Sequence, residues 1–127
     1  MPSIVVINKA DTIIPTTQED ASSFSDLVGS PESSEHPIVA GVWHLADIDE
    51  PTPAFEAEWD EVKYLIDGEL TLRDETTGSV SEVQAGSLLW IPKGSKMSLV
   101  KSKGVRVIYV EQQFRKVAPS VYQTRSS

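Results

Sequence analysis

Short apolar stretches separated by turn-forming residues follow one another from about residue 37 to residue 114. Strands that recur about every ten residues, with Gly and Pro turns between them and no helical periodicity, are typical of a β-sandwich or barrel. The sequence therefore predicts an all-β fold, with one barrel domain over residues 1–127 and the barrel itself at about 37–114. The predicted strands are Ile38 to Leu45, Glu61 to Ile66, Glu69 to Arg73, Val80 to Val83, Ser87 to Ile91, Lys96 to Lys101 and Val105 to Glu111.

The segments outside this region carry weaker patterns. Residues 3–8 predict a short strand, and the apolar stretch Ile4 to Ile7 suits strand exchange between two copies. Residues 16–36 are rich in Ser, Glu and Asp, and we expect mostly loop there. Phe24, Leu27 and Val28 could form one face of a helical turn within it. Residues 115–127 form a polar tail that either covers a barrel end or is disordered.

Composition excludes several functions. The chain has 19 acidic and 11 basic side chains and a net charge of −8, which argues against nucleic acid or an anionic membrane surface as partner. The absence of cysteine excludes disulfides, thiolate-bound metals and thiol nucleophiles. No apolar run is long enough to span a bilayer and no secretory signal is visible, so we expect a cytoplasmic protein.

Two spacings carry the strongest signal. Glu61 precedes Gly68 by six intervening residues, and Gly86 is followed after five residues by Pro92 and then Gly94. This order resembles the two motifs of the cupin superfamily, whose members are small jelly-roll β-barrels that bind a metal through three histidines and the glutamate. None of these histidine positions holds a histidine here. They are occupied by Ala54 and Glu56 or, with one residue fewer before the glutamate, by Phe55 and Ala57, and then by Met97. The resemblance therefore implies a cupin barrel without a histidine-bound metal, and we expect no metal and no cofactor.

Longer runs narrow the resemblance. Residues 59–70, 91–95 and 105–110 are similar to the cupin domain of the ethanolamine-utilisation EutQ-type family, which also lacks the histidines. That resemblance implies membership of the family, but it transfers no reaction, because a fold does not fix chemistry.

Strand alternation selects the candidate catalytic residues. Glu61 and Lys63 share one face of a strand, so an inward-facing glutamate would bring the lysine with it. Such a pair suits acid–base chemistry or a carboxylate clamp, whereas at the barrel rim it would be an inert charge pair. His44 would be a proton shuttle if it faces the cavity, but it alternates with Trp43 and only one of the two can do so. The candidate substrate-binding residues are Trp43, Phe55, Trp59, Met97 and Tyr109.

These residues favour a metal-independent enzyme of small-molecule metabolism. Its reaction would be of the lyase or isomerase type: decarboxylation, dehydration, cyclisation or tautomerisation. Two alternatives stay open at this stage, a non-catalytic barrel that binds a small ligand or serves a metabolic pathway, and a structural barrel with a filled interior. We expect a homodimer in each case.

Overall fold

The computed structural model describes residues 4–118 and the backbone of residues 123–125. Strands make up most of this part of the chain, so the all-β prediction is confirmed. A short 3-10 turn at Ala10–Thr12 accompanies the strands. The strands are β1 (Val5–Ile7), β2 (Thr17–Glu19), β3 (Ser22–Gly29), β4 (Val39–Leu45), β5 (Phe55–Glu56), β6 (Glu61–Asp74), β7 (Val80–Gln84), β8 (Leu88–Ile91), β9 (Lys96–Glu111) and β10 (Gln123–Arg125).

Two long strands hold the barrel together. The main sheet has the order β2-β3-β4-β9-β6-β7, while β5 pairs with β9 and β8 pairs with β6. The second half of β9 and the first half of β6 lie between β4 and β8, whereas their other halves lie between β5 and β7. Each long strand therefore contributes to both layers, and the two layers enclose a core that includes Leu65, Leu70 and Val107.

The bend in the two long strands lies at a pair of facing glycines. Gly68 and Gly104 both have positive φ, 92° and 61°, and a Cβ added to Gly68 would lie 2.4 Å from the carbonyl oxygen of Gly104. Only glycine permits so close an approach of two backbones with this conformation. The sequence-based division of this region into two strands, Glu61 to Ile66 and Glu69 to Arg73, was wrong, because Asp67 and Gly68 form a corner inside one continuous strand.

The prediction of a loop over residues 16–36 was also wrong, since β2 and β3 lie there and no helical turn forms. β3 pairs with β4 along its length, with a bulge between Asp26 and Val28. Leu27 points to the outer surface of the sheet, where it packs with Ile13 and Val42. Phe24 and Asp26 point to the inner face, towards the enclosed core. An inward-facing polar residue and a bulge both interrupt the alternation of apolar and polar residues that marks a strand. The sequence of β3 therefore shows no such alternation.

The N-terminal segment covers part of the outer surface of the sheet. Ile7, Ala10 and Ile13 pack against Leu27 and Val42. β1 pairs with β10 of the same chain, so this structure shows the predicted exchange strand in an internal pairing. The predicted tail is described only at residues 115–118 and 123–125. Within the described part of the chain, no helix is long and apolar enough to cross a bilayer.

Candidate functional site

Strand register assembles a polar cluster on the inner face of the sheet. Residues paired across antiparallel strands point to the same side, so each row of partners forms a line of neighbouring side chains. Two adjacent rows hold every charged residue that β3, β6 and β9 contribute to the cluster. The first row is Asp26, Gly41, Tyr109, Lys63 and Leu89, and the second is Val39, Glu111, Glu61 and Ile91.

Lys63 lies in an aromatic enclosure beside Glu61. Its Nζ is 3.6 Å from Oε2 of Glu61, and the two side chains are only 18% and 11% exposed. The same Nζ lies 5.2 Å from the ring centre of Trp43 and 5.5 Å from that of Tyr109, which are cation–π distances. The structure thus brings two of the three predicted catalytic residues together with two of the predicted substrate-binding residues.

Glu61 and Glu111 face each other on neighbouring strands. Burial raises the pKa of Glu61 above its usual range, and a hydrogen bond and the charge of Glu111 raise it further, while the Lys63 charge and the Trp59 indole do not offset these effects. Trp59 Nε1 also donates a hydrogen bond to Oε2 of Glu111 at 2.9 Å. Trp59, predicted as a pocket wall, therefore supports the carboxyl pair.

Arg115 closes the other side of the cluster. Its Nε and Nη2 donate hydrogen bonds to the two carboxylate oxygens of Asp26 at 2.8 and 2.7 Å, and Nη2 also donates to Oε1 of Glu111 at 2.5 Å. The guanidinium lies over the rings of Phe24 and Tyr109. Burial opposes the charge of Arg115, but its two carboxylate partners keep its pKa above the usual value. The first residue of the predicted polar tail thus packs against the inner-face cluster and is partly buried there.

Tyr109 connects the two halves of the cluster. Its hydroxyl donates a hydrogen bond to Oδ1 of Asp26 at 2.5 Å, and the residue is only 2% exposed. Burial, together with the hydrogen bond and charge of Asp26, raises the pKa of Tyr109 far above its ordinary value. The hydroxyl lies above Gly41, where an added Cβ would be 2.5 Å from its oxygen.

Apolar contacts replace the metal ligands of the superfamily. Phe55 pairs in register with Met97, and Met97 packs with Ala57 and Ile91. These side chains offer carbon and one thioether, so they do not fit the metal that the fold family implies. In the described residues, no three His, Cys, Asp or Glu side chains are grouped so that they could hold a metal ion.

His44 lies apart from the cluster. Its strand neighbours are Ser23 and Arg106, on the face of β4 opposite to that of Trp43. Burial, with the charge of Arg106, lowers the pKa of His44. Since Trp43 takes the inward position, the structure does not bring the proposed proton shuttle to Glu61.

Three charged residues of the cluster were absent from the sequence-based set. Glu111 follows Tyr109 by two residues on the same strand, so alternation could have identified it. Asp26 lies in the segment predicted as loop, and Arg115 follows the last barrel strand, where no periodicity signals its direction.

A cavity of about 400 Å³ adjoins the cluster. Leu89, Ile91 and Met97 line it, and the first two are the strand partners of Lys63 and Glu61. Lys63 and Glu61 themselves do not line it.

A bent antiparallel barrel with a glutamate kept at the motif position and no histidine at the other motif positions is a cupin without the usual metal site. The chain belongs to the family of the ethanolamine utilisation protein EutQ, whose family model matches residues 3–114.

Solved structures agree with this assignment. The EutQ protein of Clostridium difficile has a TM-score of 0.64 at 22% identity, and a putative ethanolamine utilisation protein EutQ of Salmonella typhimurium has 0.57 at 25%. In both cases the match covers 87% of this chain and 94% of the other. The polyketide cyclase RemF of Streptomyces resistomycificus shares the fold, with a TM-score of 0.51 at 20% identity over 80% of this chain and 75% of RemF. No curated protein matches the sequence.

Proposed function

We propose that the barrel catalyses a metal-independent lyase- or isomerase-type reaction on a small organic molecule, with Glu61 as the acid–base group. The observation that carries the proposal is the contact between Glu61 and Lys63, two largely buried side chains 3.6 Å apart inside the barrel. Fully buried charges are costly, so a carboxyl and an ammonium group held together beside aromatic rings suit a chemical or binding role.

The environment of Glu61 matches the needs of an acid–base catalyst. A carboxyl whose pKa lies above its usual range retains its proton nearer to neutral pH, so more of it is available there as a general acid. Lys63 would stabilise negative charge that develops on a substrate oxygen, and Trp43 would provide a flat apolar wall. Each of the four reactions expected from the sequence requires one proton to be delivered to, or taken from, carbon or oxygen. Support for a catalytic role also comes from RemF, an enzyme with the same fold.

Carbon–hydrogen exchange tests the proposal without a known substrate. The protein would be incubated in D₂O with a panel of small keto acids and aromatic ketones, and deuterium incorporation at carbon would be followed by NMR. We expect exchange with at least one compound and a loss of about 100-fold or more in Glu61→Gln. Glu56→Gln, at an exposed position, is the matched control and should exchange as the wild type does. Full exchange in Glu61→Gln would refute the catalytic role.

The second candidate function is a barrel that binds a small ligand without turnover, in an accessory role. Its supporting observation is the enclosure of the Lys63 ammonium between two rings, which suits recognition as well as catalysis. Equal ligand affinity in the wild type and in Glu61→Gln, with turnover in neither, would favour this alternative.

We further propose that the protein is a homodimer that acts in the cytoplasm. The N-terminal segment leaves an apolar part of the outer sheet surface open, where Tyr64, Leu88 and Trp90 are 46%, 70% and 62% exposed. Val62 pairs with Trp90 and Tyr64 pairs with Leu88, so these side chains form one continuous surface. A second copy of the chain would supply a complementary apolar surface through a twofold axis.

A further inference from the structure

The charges in the cluster balance only if one carboxyl is protonated. Three carboxyl groups, those of Asp26, Glu61 and Glu111, share the inner face with two cations, Lys63 and Arg115. Two carboxylates at directly opposed strand positions repel each other, and the repulsion is stronger where water is excluded. A proton on either Glu61 or Glu111 removes this repulsion between the paired positions.

Hydrogen bonding decides which carboxyl carries that proton. Glu111 accepts hydrogen bonds from the Trp59 indole at 2.9 Å, from the Arg115 guanidinium at 2.5 Å and from the Gln113 amide at 3.3 Å. Three donors, one of them a cation, stabilise Glu111 as the carboxylate. The proton therefore remains on Glu61.

The remaining charges leave Lys63 as the available cation. Arg115 is occupied by Asp26 and Glu111, and Asp26 also accepts from the Tyr109 hydroxyl. The Lys63 ammonium makes no hydrogen bond within the described residues, and its nearest carboxyl oxygen, on Glu61, is 3.6 Å away. A protonated Glu61 does not neutralise it, so Lys63 retains both its charge and its donors.

We propose that Lys63 is an anion-binding group. The ligand of the barrel carries a single negatively charged oxygen, as in a carboxylate or an enolate, on a flat apolar body. Glu111 is the positioning residue that keeps Glu61 protonated. The Trp43 ring defines the flat body, because it lies against the Lys63 ammonium that would hold the charged oxygen. This inference rests on the proposed function of the same site and specifies its substrate class.

A pH dependence follows from the same arrangement. The charged groups that face Glu61 are Lys63 on its own strand and Glu111 on β9. Its uncharged neighbours are Tyr109 on β9, Trp59 before β6 and Ile91 on β8. Arg115 and Asp26 lie on the far side of Glu111. When Glu61 loses its proton, its carboxylate competes for Lys63. Anion binding should weaken as the pH rises through the titration of Glu61.

Ligand titrations with defined probes test the inference. Benzoate is the anionic probe, and benzamide is its neutral counterpart of nearly the same shape. The indole N–H of Trp43, assigned by comparison with Trp43→Phe, reports binding by NMR. We expect benzoate to bind and benzamide to bind about tenfold or more weakly, since a charge-assisted hydrogen bond contributes this much. Lys63→Met should weaken benzoate similarly, and Lys101→Met, at an exposed position, should not.

The variants separate this inference from the proposed reaction. Glu61→Gln keeps a neutral side chain next to Lys63, so it should bind benzoate as the wild type does at low pH and retain that affinity at higher pH, while proton exchange at carbon is lost. Benzamide bound as tightly as benzoate, wild-type affinity in Lys63→Met, or no binding of benzoate by the wild type would overturn the inference. Benzoate binding through Lys63 without exchange on any compound would refute only the catalytic proposal.

Discussion

Glu61 and Glu111 stand at directly opposed positions of two antiparallel strands, with both side chains on the inner face of the barrel. Opposed like charges destabilise a sheet, so the pair persists as one acid and one carboxylate. In the cupin motif that the sequence resembles, this glutamate is one of the metal ligands. Here carbon side chains and a thioether occupy the positions of the other ligands, and the glutamate instead faces a second glutamate across the strand pair.

The carboxyl pair gives a direct spectroscopic prediction. Glu111→Gln removes both the negative charge and the carboxylate acceptor that raise the pKa of Glu61, so this pKa should fall. The side-chain carboxyl carbon of Glu61, followed by ¹³C NMR during a pH titration, measures the change. Glu82→Gln, on the exposed surface of β7, provides a control that should leave the Glu61 titration where it is. An unchanged Glu61 titration in Glu111→Gln would show that the two groups are independent.

The free energy of unfolding should depend on pH because of the same group. Because the pKa of Glu61 is raised above 4.5, the unfolded chain loses this proton at a lower pH than the folded protein does. The stabilisation from this group is complete below about pH 4 and is lost as the pH rises towards the folded value. Glu61→Gln has no such loss, so its free energy of unfolding relative to wild type should increase with pH over that interval. Urea denaturation at a series of pH values measures this difference, and a constant difference would contradict the assignment.

Backbone space beneath Tyr109 gives a third prediction. A Cβ on Gly41 would lie 2.1 Å from the carbonyl oxygen of Ser25 and 2.5 Å from the Tyr109 hydroxyl, so Gly41→Ala should destabilise the protein by about 2–3 kcal/mol. Gly29→Ala is the matched control, since its Cβ would first meet the tip of the Val117 side chain at 3.1 Å, and it should cost under about 1 kcal/mol. Chemical denaturation compares the two. Equal effects would mean that both the Ser25 backbone and the Tyr109 side chain can move away without cost.

Local patterns predicted much of the barrel because local interactions specify its strands. Alternation predicted the bounds of β4, β7 and β8 nearly as the structure has them. It also correctly placed Glu61 and Lys63 on the same face of a strand. The corner at Gly68 was misinterpreted, since a positive-φ glycine marks a hairpin turn and a bulge equally well. The facing Gly104 that distinguishes them is distant in sequence.

The candidate site was predicted only in part, because its polar members depend on pairing between distant strands. Asp26 meets Tyr109 through two intermediate pairings, and no apolar period accompanies it. Arg115 is positioned by its two carboxylate partners rather than by a strand. For His44, alternation with Trp43 left two orientations open, and the aromatic contact with Lys63 shows which side chain faces inwards.

Tyr109 should resist ionisation for as long as the protein is folded. Its burial and the neighbouring Asp26 hold its pKa far above the usual value, so the folded state keeps the proton that the unfolded chain releases near pH 10. The stabilisation it provides is therefore complete below about pH 10 and decreases above it. Phenolate absorbance of the wild type and Tyr109→Phe should superimpose until alkaline unfolding begins. An excess of phenolate in the folded wild type would show that the hydroxyl is open to solvent.

The open apolar surface gives the last prediction. In a twofold dimer each substituted residue occurs twice across one interface, so Leu88→Glu would introduce two carboxylates into an apolar contact. We expect the dissociation constant of the dimer to rise by at least about tenfold, measured by sedimentation equilibrium, because unpaired charges at a desolvated contact are costly. Val80→Glu changes an equally apolar residue, 54% exposed on β7, and should leave self-association unchanged. A wild-type protein that sediments as a monomer, or a Leu88→Glu dimer of unaltered affinity, would exclude this surface as the contact between copies.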